Sequence, residues 1–280
     1  MWYLCSVMPE LPEVETIVRQ LRPEIGEKII ADVWSERERT LADRSLDDFR
    51  RAVIGSRIKE VVRRAKYCIL RFDDGRCIAI HLKMSGHLKV IPPHSEYDPR
   101  FIRAWLAFTD GAKLLFSDIR RFGRMYLIED YKTWQSKMGI EPLNQVDFTL
   151  ENLTKIFVNR KTPVKPTLLN QELIAGIGNI YADEILWASK IHPARPANSL
   201  SQSEIWELYQ HAPWILRTAI EANGSTLRNY RDLHGLEGGY MDMVNCYGRT
   251  GIACKRNDGG IIQRTILRTR ATHFCPVCQK

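Results

Sequence analysis

The sequence predicts an α+β protein of two domains: an N-terminal antiparallel β-sandwich led by one helix, then a helical domain that ends in a small β-hairpin. Three observations predict it. An amphipathic helical stretch is followed by alternating β-branched and aromatic runs; beyond about residue 147 the apolar period becomes helical; and from Cys246 the chain turns short, polar and β-like. At 280 residues the chain is long enough to bury two cores of ordinary size.

From Glu13, the residues Val14, Ile17, Val18, Leu21 and Ile25 recur at three and four, with Pro12 at the start and Gly26 at the end, which marks a helix. Strands are expected around 67–72, 77–82, 105–108 and 114–116, with Asp74-Gly75 and Asp110-Gly111 as hairpin turns. The Pro- and Gly-bearing stretch 139–147 has no clean period and reads as a linker. Helices are expected over 150–158, 167–175, 180–189 and 203–222, the last stopped by Asn223-Gly224. The domains are therefore drawn as 8–138, 148–245 and a terminal ribbon, 246–280, whose Gly259-Gly260 and Cys275/Cys278 pair have the texture of a zinc ribbon.

Hydrophobic residues at 44% and charged residues at 26% fit a globular chain, and no run of eighteen apolar residues exists to span a bilayer. Lys and Arg number 41 against 33 Asp and Glu, a net +8 that favours a polyanionic partner, nucleic acid first. Within 248–280, seven Lys and Arg face Asp258 alone. Seven scattered cysteines with one C-x-x-C pair suit a reducing compartment and one metal site better than a disulfide scaffold. The opening seven residues lack the basic end and long apolar stretch of a secretion signal, so a cytosolic protein is expected.

Six segments carry a more specific signal: the run Met8-Pro9-Glu10-Leu11-Pro12-Glu13-Val14-Glu15; Arg64-Ala65-Lys66-Tyr67; His81-Leu82-Lys83-Met84-Ser85-Gly86; Asp118-Ile119-Arg120-Arg121-Phe122-Gly123; the run from Gly176 through Asn179 to Glu184; and the run from Arg270 through Cys275 and Cys278 to Gln279. In this order, from Met8 to the C-terminus, the chain resembles the formamidopyrimidine-DNA glycosylase family of bifunctional 8-oxoguanine glycosylases and abasic-site lyases. The resemblance implies a helix-two-turns-helix architecture for the second domain. It also implies a monomeric base-excision repair enzyme acting on double-stranded DNA that contains oxidised purines or abasic sites, with no membrane partner.

By the same resemblance, Pro9 is the nucleophile once the initiator methionine is removed, Glu10 exchanges protons as general acid and base, Glu13 supports it, and Lys66 belongs to the catalytic group. An α-amine titrates near 7.7 to 8.0 by reference, so a useful fraction is neutral at cellular pH. Met84, Arg120 and Phe122 fill the gap left by an everted nucleotide: an apolar wedge, a guanidinium for the orphaned base and a stacking ring. His81, Asn179 and Arg270, with Lys66, match phosphate contacts. Tyr230 to Tyr240, with its glycines Gly235, Gly238 and Gly239, is the expected lesion-contacting loop.

Two departures stand out. Seven residues precede Met8, and an amide-bonded proline has no lone pair to attack with; translation from Met8 is the preferred resolution. The family ribbon uses four cysteines, whereas here Asn257 stands where the second is expected. One structural Zn2+ is therefore assigned to Cys254, Asp258, Cys275 and Cys278, with His273 as another nitrogen candidate. Rival readings are an oxidised-pyrimidine glycosylase of the endonuclease VIII type, and a noncatalytic lesion-DNA binder with its N-terminal extension kept.

Overall fold

The computed structural model describes residues 8–227 and 230–280; the seven leading residues, and with them the expectation about the start of translation, lie outside the described residues. The chain forms two compact units. One contains the described residues up to Ser136 together with Asn223–Gly239, and the other contains Lys137–Ala222 with Tyr240–Lys280. Residues 223–239, drawn above within a domain 148–245, thus pack with the N-terminal unit, and the ribbon packs with the helical one.

In the first unit, α1 (Leu11–Ile25) is followed by β1 (Ile30–Ser35), α2 (Leu46–Val53), β2 (Ile58–Arg64), β3 (Tyr67–Phe72), β4 (Cys77–His81), β5 (Gly86–Ile91), β6 (Ile102–Phe108), β7 (Lys113–Asp118), β8 (Arg124–Ile128) and the short α3 (Tyr131–Ser136). The strands make two four-stranded antiparallel sheets, in the orders β1-β6-β7-β5 and β2-β3-β4-β8. Both Asp-Gly pairs turn hairpins, with Gly75 and Gly111 at φ 89° and 88°, where a Cβ would be strained. Val14, Ile17, Val18, Leu21 and Ile25 of α1 are fully buried in one core with Leu70, Ile78 and Ile80 of one sheet and Leu106, Leu114 and Phe116 of the other. Each such side chain stabilises the docked helix by about 1.5–3 kcal/mol, which fixes the residues just before it.

The second unit holds α4 (Leu150–Val158), α5 (Val164–Leu169), α6 (Asn179–Ala188), α7 (Gln202–Glu221) and the hairpin β9 (Gln263–Leu267) and β10 (Arg270–Phe274). The helix expected over 167–175 is displaced. It starts earlier, because Pro163 and Pro166 suit a first turn, and it ends at Leu169. Beyond it the Gln171 side chain holds a turn, donating to the carbonyls of Leu169 and Ile177 (2.9 Å each) and accepting the Gly176 N–H at 2.9 Å. None of the described helices is long and apolar enough to cross a membrane.

Two carboxylates at the centre of α6 hold this unit together, and both are fully buried. Asp183 pairs with the equally buried Lys165 at 2.7 Å and accepts the backbone N–H of His273 at 2.9 Å and its Nδ1 at 3.0 Å. Glu184 accepts three successive N–H groups, from Asn245, Cys246 and Tyr247, at 2.7–2.8 Å. Replacing one partner of a buried pair strands the other's charge. Asp183→Ala is therefore expected to cost about 3–5 kcal/mol, read as a lowered urea midpoint with loss of the β9–β10 signal in amide hydrogen exchange.

Candidate active site and nucleic-acid interface

The chain enters α1 through Pro9 and Glu10, both buried. Glu13 fixes this approach. Its Oε2 accepts the Glu10 N–H at 2.8 Å, while Oε1 accepts the N–H and hydroxyl of Ser225 at 2.7 and 2.9 Å. Gly224 must be a glycine here: it sits at φ 83°, and a Cβ would stand 2.9 Å from Glu13 Oε1. Glu13 thereby joins the start of α1 to the returning segment 223–239. That segment is held further by Gln20, which donates to Asp232 at 2.8 Å and accepts the Leu233 N–H at 2.9 Å. Asp232 in turn accepts the N–H groups of His234 and Leu236 (3.0 and 2.8 Å). The glycines of the expected lesion loop answer to geometry: Gly235 turns at φ 85°, and a Cβ on Gly238 would meet the Gly224 carbonyl at 2.3 Å.

Lys66 lies in the two-residue turn between β2 and β3, where Ala65 takes the left-handed φ of 52°, and its side chain is buried. Arg63 ties this turn to α1, donating to Glu15 at 2.8 Å and to the Ala65 carbonyl at 3.2 Å. His81 closes β4 opposite Tyr67, whose ring meets it edge-on at 4.6 Å. Burial first, then the charges of Lys83 and Lys66, hold the imidazole down at about 3, so it is neutral at cellular pH. Its Nδ1 accepts the Lys83 N–H at 3.0 Å, which puts the ring proton on Nε2. His81 is thus a neutral donor rather than a cation.

Met84 sits in the β4–β5 turn, and Arg120 and Phe122 in the β7–β8 loop, all in this unit. Phe122 is 44% exposed, unusual for a ring of its size, and the Arg120 guanidinium lies 4.8 Å from its centroid.

In the second unit Asn179 is the first residue of α6, directly after Gly178. Its Oδ1 is buried without a hydrogen-bond partner among the described residues, and the positive end of α6 favours an anion beside it. Arg270 begins β10 next to the turn at Arg268 (φ 54°) and is exposed. A cavity of about 410 Å³ opens there, lined by Arg160, Asn170, Arg268 and Arg270 among others, with no carboxylate among its lining residues.

Cys254, Asp258, Cys275 and Cys278 converge, with one ligand atom of each within 4.8 Å of all the others. A tetrahedral ion bonded to sulfur at about 2.3 Å needs ligand-to-ligand edges of roughly 3.8 Å. Cys254 Sγ and Cys278 Sγ are 3.9 Å apart, and Asp258 Oδ2 is 3.5 Å from Cys275 Sγ, so the donor set fits. The Gly260 N–H donates to Asp258 at 2.8 Å and keeps its carboxyl below the usual range, ready as an anionic ligand. A Cβ at Gly260 would stand 2.3 Å from Cys275 Sγ. His273 is turned to Asp183 and lies outside this cluster. Around the sulfurs, Trp187 Nε1 donates to Cys254 at 3.4 Å and Arg256 to Cys278 at 3.2 Å.

Sequence reasoning missed Ser225 and Asp118 as holders of the site, and the Lys165–Asp183 pair. Ser225 and Lys165 sit in no quoted motif, and Ser225 finds its partner 212 residues away.

Two family models match the chain: the formamidopyrimidine-DNA glycosylase N-terminal domain over residues 8–125, and the H2TH domain of the same family over 138–231. The chain is 41% identical over 275 residues to the formamidopyrimidine-DNA glycosylase of Herpetosiphon aurantiacus, covering 97% of this chain and all of the relative. It is 40% identical to that of Chloroflexus aurantiacus, covering 97% and 98%. Among solved structures, a Lactococcus lactis Fpg mutant with a Fapy-dG containing DNA superposes with a TM-score of 0.88 at 33% identity, covering 97% of this chain and 100% of that one. MutM with carbocyclic 8-oxo-G containing DNA gives 0.87 at 33%, with the same coverage.

The depressed pKa of His81 has a stability consequence. An unfolded imidazole titrates near 6.5, about the reference value. The contribution of neutral His81 is full above that pH and is lost as pH falls through the interval down to about 3, where the folded form also protonates. Thermal melts across pH 3–8 are expected to show a steeper acid loss for wild type than for His81→Gln.

Proposed function

Because the chain belongs to the formamidopyrimidine-DNA glycosylase family, we propose that it excises oxidised purines from duplex DNA through the Pro9 amine and then nicks the abasic strand. The observation that carries this reading is the buried start of α1, where Glu13 holds the backbone of Glu10 while Pro9 is the last residue before the helix cap. Freed of residues 1–8, the Pro9 nitrogen attacks C1′ of the everted nucleoside; the N-glycosidic bond breaks and the base leaves, taking a proton that Glu10 supplies. The proline nitrogen then gives up its proton and the C1′–O4′ bond of the sugar breaks, with O4′ taking a proton, which leaves an open-chain iminium that acidifies the C2′ proton. Its loss expels the 3′ phosphate, and a second elimination expels the 5′ phosphate.

Everting the base costs a few kcal/mol, which Met84, Arg120 and Phe122 offset by filling the vacated stack. Lys66, His81, Asn179 and Arg270 hold phosphates, His81 as a neutral donor. The reaction requires no nucleotide cofactor. At the ribbon, a structural Zn2+ held by Cys254, Asp258, Cys275 and Cys278 would cross-link the two ends of the hairpin region.

The nucleophile is tested by borohydride trapping with an 8-oxoguanine duplex. Protein translated from Met8 and then freed of that methionine is expected to give a covalent adduct, and protein that retains residues 1–7 is expected to give none; equal trapping of both would move the nucleophile to another amine. For the metal, about one zinc per chain is expected by elemental analysis. Gly260→Ala is expected to lower the zinc content under chelator competition, and a zinc content near zero in wild type would remove the ion.

A further inference from the structure

Met84 and Phe122 lie in different loops, yet both loops close on one buried carboxylate. Asp118, only 1% exposed at the end of β7, accepts the Ser85 hydroxyl on Oδ1 together with the Arg120 N–H at 3.0 Å, and the Gly123 N–H on Oδ2 at 2.7 Å. The Arg120 N–H also reaches Ser85 Oγ, at 3.2 Å, so the two loops are bonded to each other as well as to Asp118. We propose that Asp118 is a positioning residue that locks the Met84 loop to the Arg120–Phe122 loop, so that the two enter the duplex as one rigid wedge; this rests on the wedge roles proposed above.

Two further features support the lock. The Phe116 ring underlies both loops: a Cβ added at Gly86 or Gly123 would stand 2.9 or 2.3 Å from its edge. Neither loop can therefore shift toward the sheet. The main chain of Asp118 is held from the other side by the buried Arg103, which donates to its carbonyl at 2.7 Å and to Glu36 at 3.0 Å. Glu36 also takes Arg121 at 2.9 Å, and that bond keeps its carboxyl below the usual range. The backbone on each side of Arg120 is thus fixed before any DNA arrives. A wedge must displace stacked bases, and a loop free to retreat would be pushed back by them; a shared, desolvated anchor prevents this.

The two oxygens of Asp118 allow the lock to be opened on one side. Asp118→Asn retains an oxygen for Ser85 and Arg120 but turns an amide N–H2 toward the Gly123 N–H, donor against donor, which releases the Phe122 side. Ser85→Ala releases the Met84 side and leaves the carboxylate. The readout is the fluorescence of 2-aminopurine placed beside a non-cleavable abasic-site analogue in duplex DNA, which reports unstacking and needs no reaction at Pro9. Stranding a buried donor shifts such an equilibrium by about fivefold or more, so both variants are expected to lose wedge insertion to that extent, as Phe122→Ala does. Affinity for undamaged duplex is expected to stay near wild type. If Phe122→Ala loses the signal while Asp118→Asn or Ser85→Ala keeps it, the lock is refuted and the wedge stands. If Phe122→Ala itself keeps the signal, the wedge roles fall and the lock with them. Should Asp118→Asn lower the urea midpoint enough to unfold, Ser85→Ala alone decides between these outcomes.

Discussion

The first unit depends on a buried carboxylate, that of Glu13, which has backbone donors on both of its oxygens. A carboxylate in an apolar core is costly unless its lone pairs are met, and here Glu10 and Ser225 meet them from opposite ends of the unit's sequence. The contact has two effects at once. It caps α1, whose apolar face is already locked between the sheets, and it recruits residues 223–239 to the sandwich. The position of Pro9 and Glu10 is therefore set by the core, as the nucleophile proposed above requires if its reach is to be reproducible.

The same device recurs. Asp118 holds its own loop by two backbone N–H groups and the neighbouring one by the Ser85 hydroxyl, while Asp183 and Glu184 gather the hairpin and the 245–247 turn, and Asp232 closes its own turn, by accepting backbone N–H groups. Several of the acids in this basic protein are thus turned inward and spent on holding backbone. Arg120 and Arg270 remain exposed or partly so, with none of the described ion pairs formed at their guanidinium groups, so the surplus of +8 is presented outward, where a phosphate backbone can meet it.

Much of the fold was legible in the sequence. The strand expected over 67–72 and the helix over 150–158 coincide with β3 and α4, because both have strong, uninterrupted apolar periods. β2 escaped notice because its sequence, Ile58 to Arg64, is mostly charged and carries a bulge that breaks the alternation. The segment 167–175 has a helical period, but a side chain, Gln171, satisfies the carbonyls and N–H group that a continued helix would have used. At the ribbon, composition left Asp258 and His273 both open. What separates them is Asp183, ninety residues from His273, which draws that imidazole away from the sulfurs. Residue types could nominate ligands and cations; which partner each would find was decided by packing between distant segments.

The bond between Ser225 and Glu13 spans 212 residues. During synthesis the sandwich strands leave the ribosome long before the segment that completes them, so a nascent or truncated chain lacking that segment also lacks both Ser225 hydrogen bonds to Glu13. The seating of Pro9 and Glu10 at the front of the molecule is in this way made conditional on the arrival of its rear.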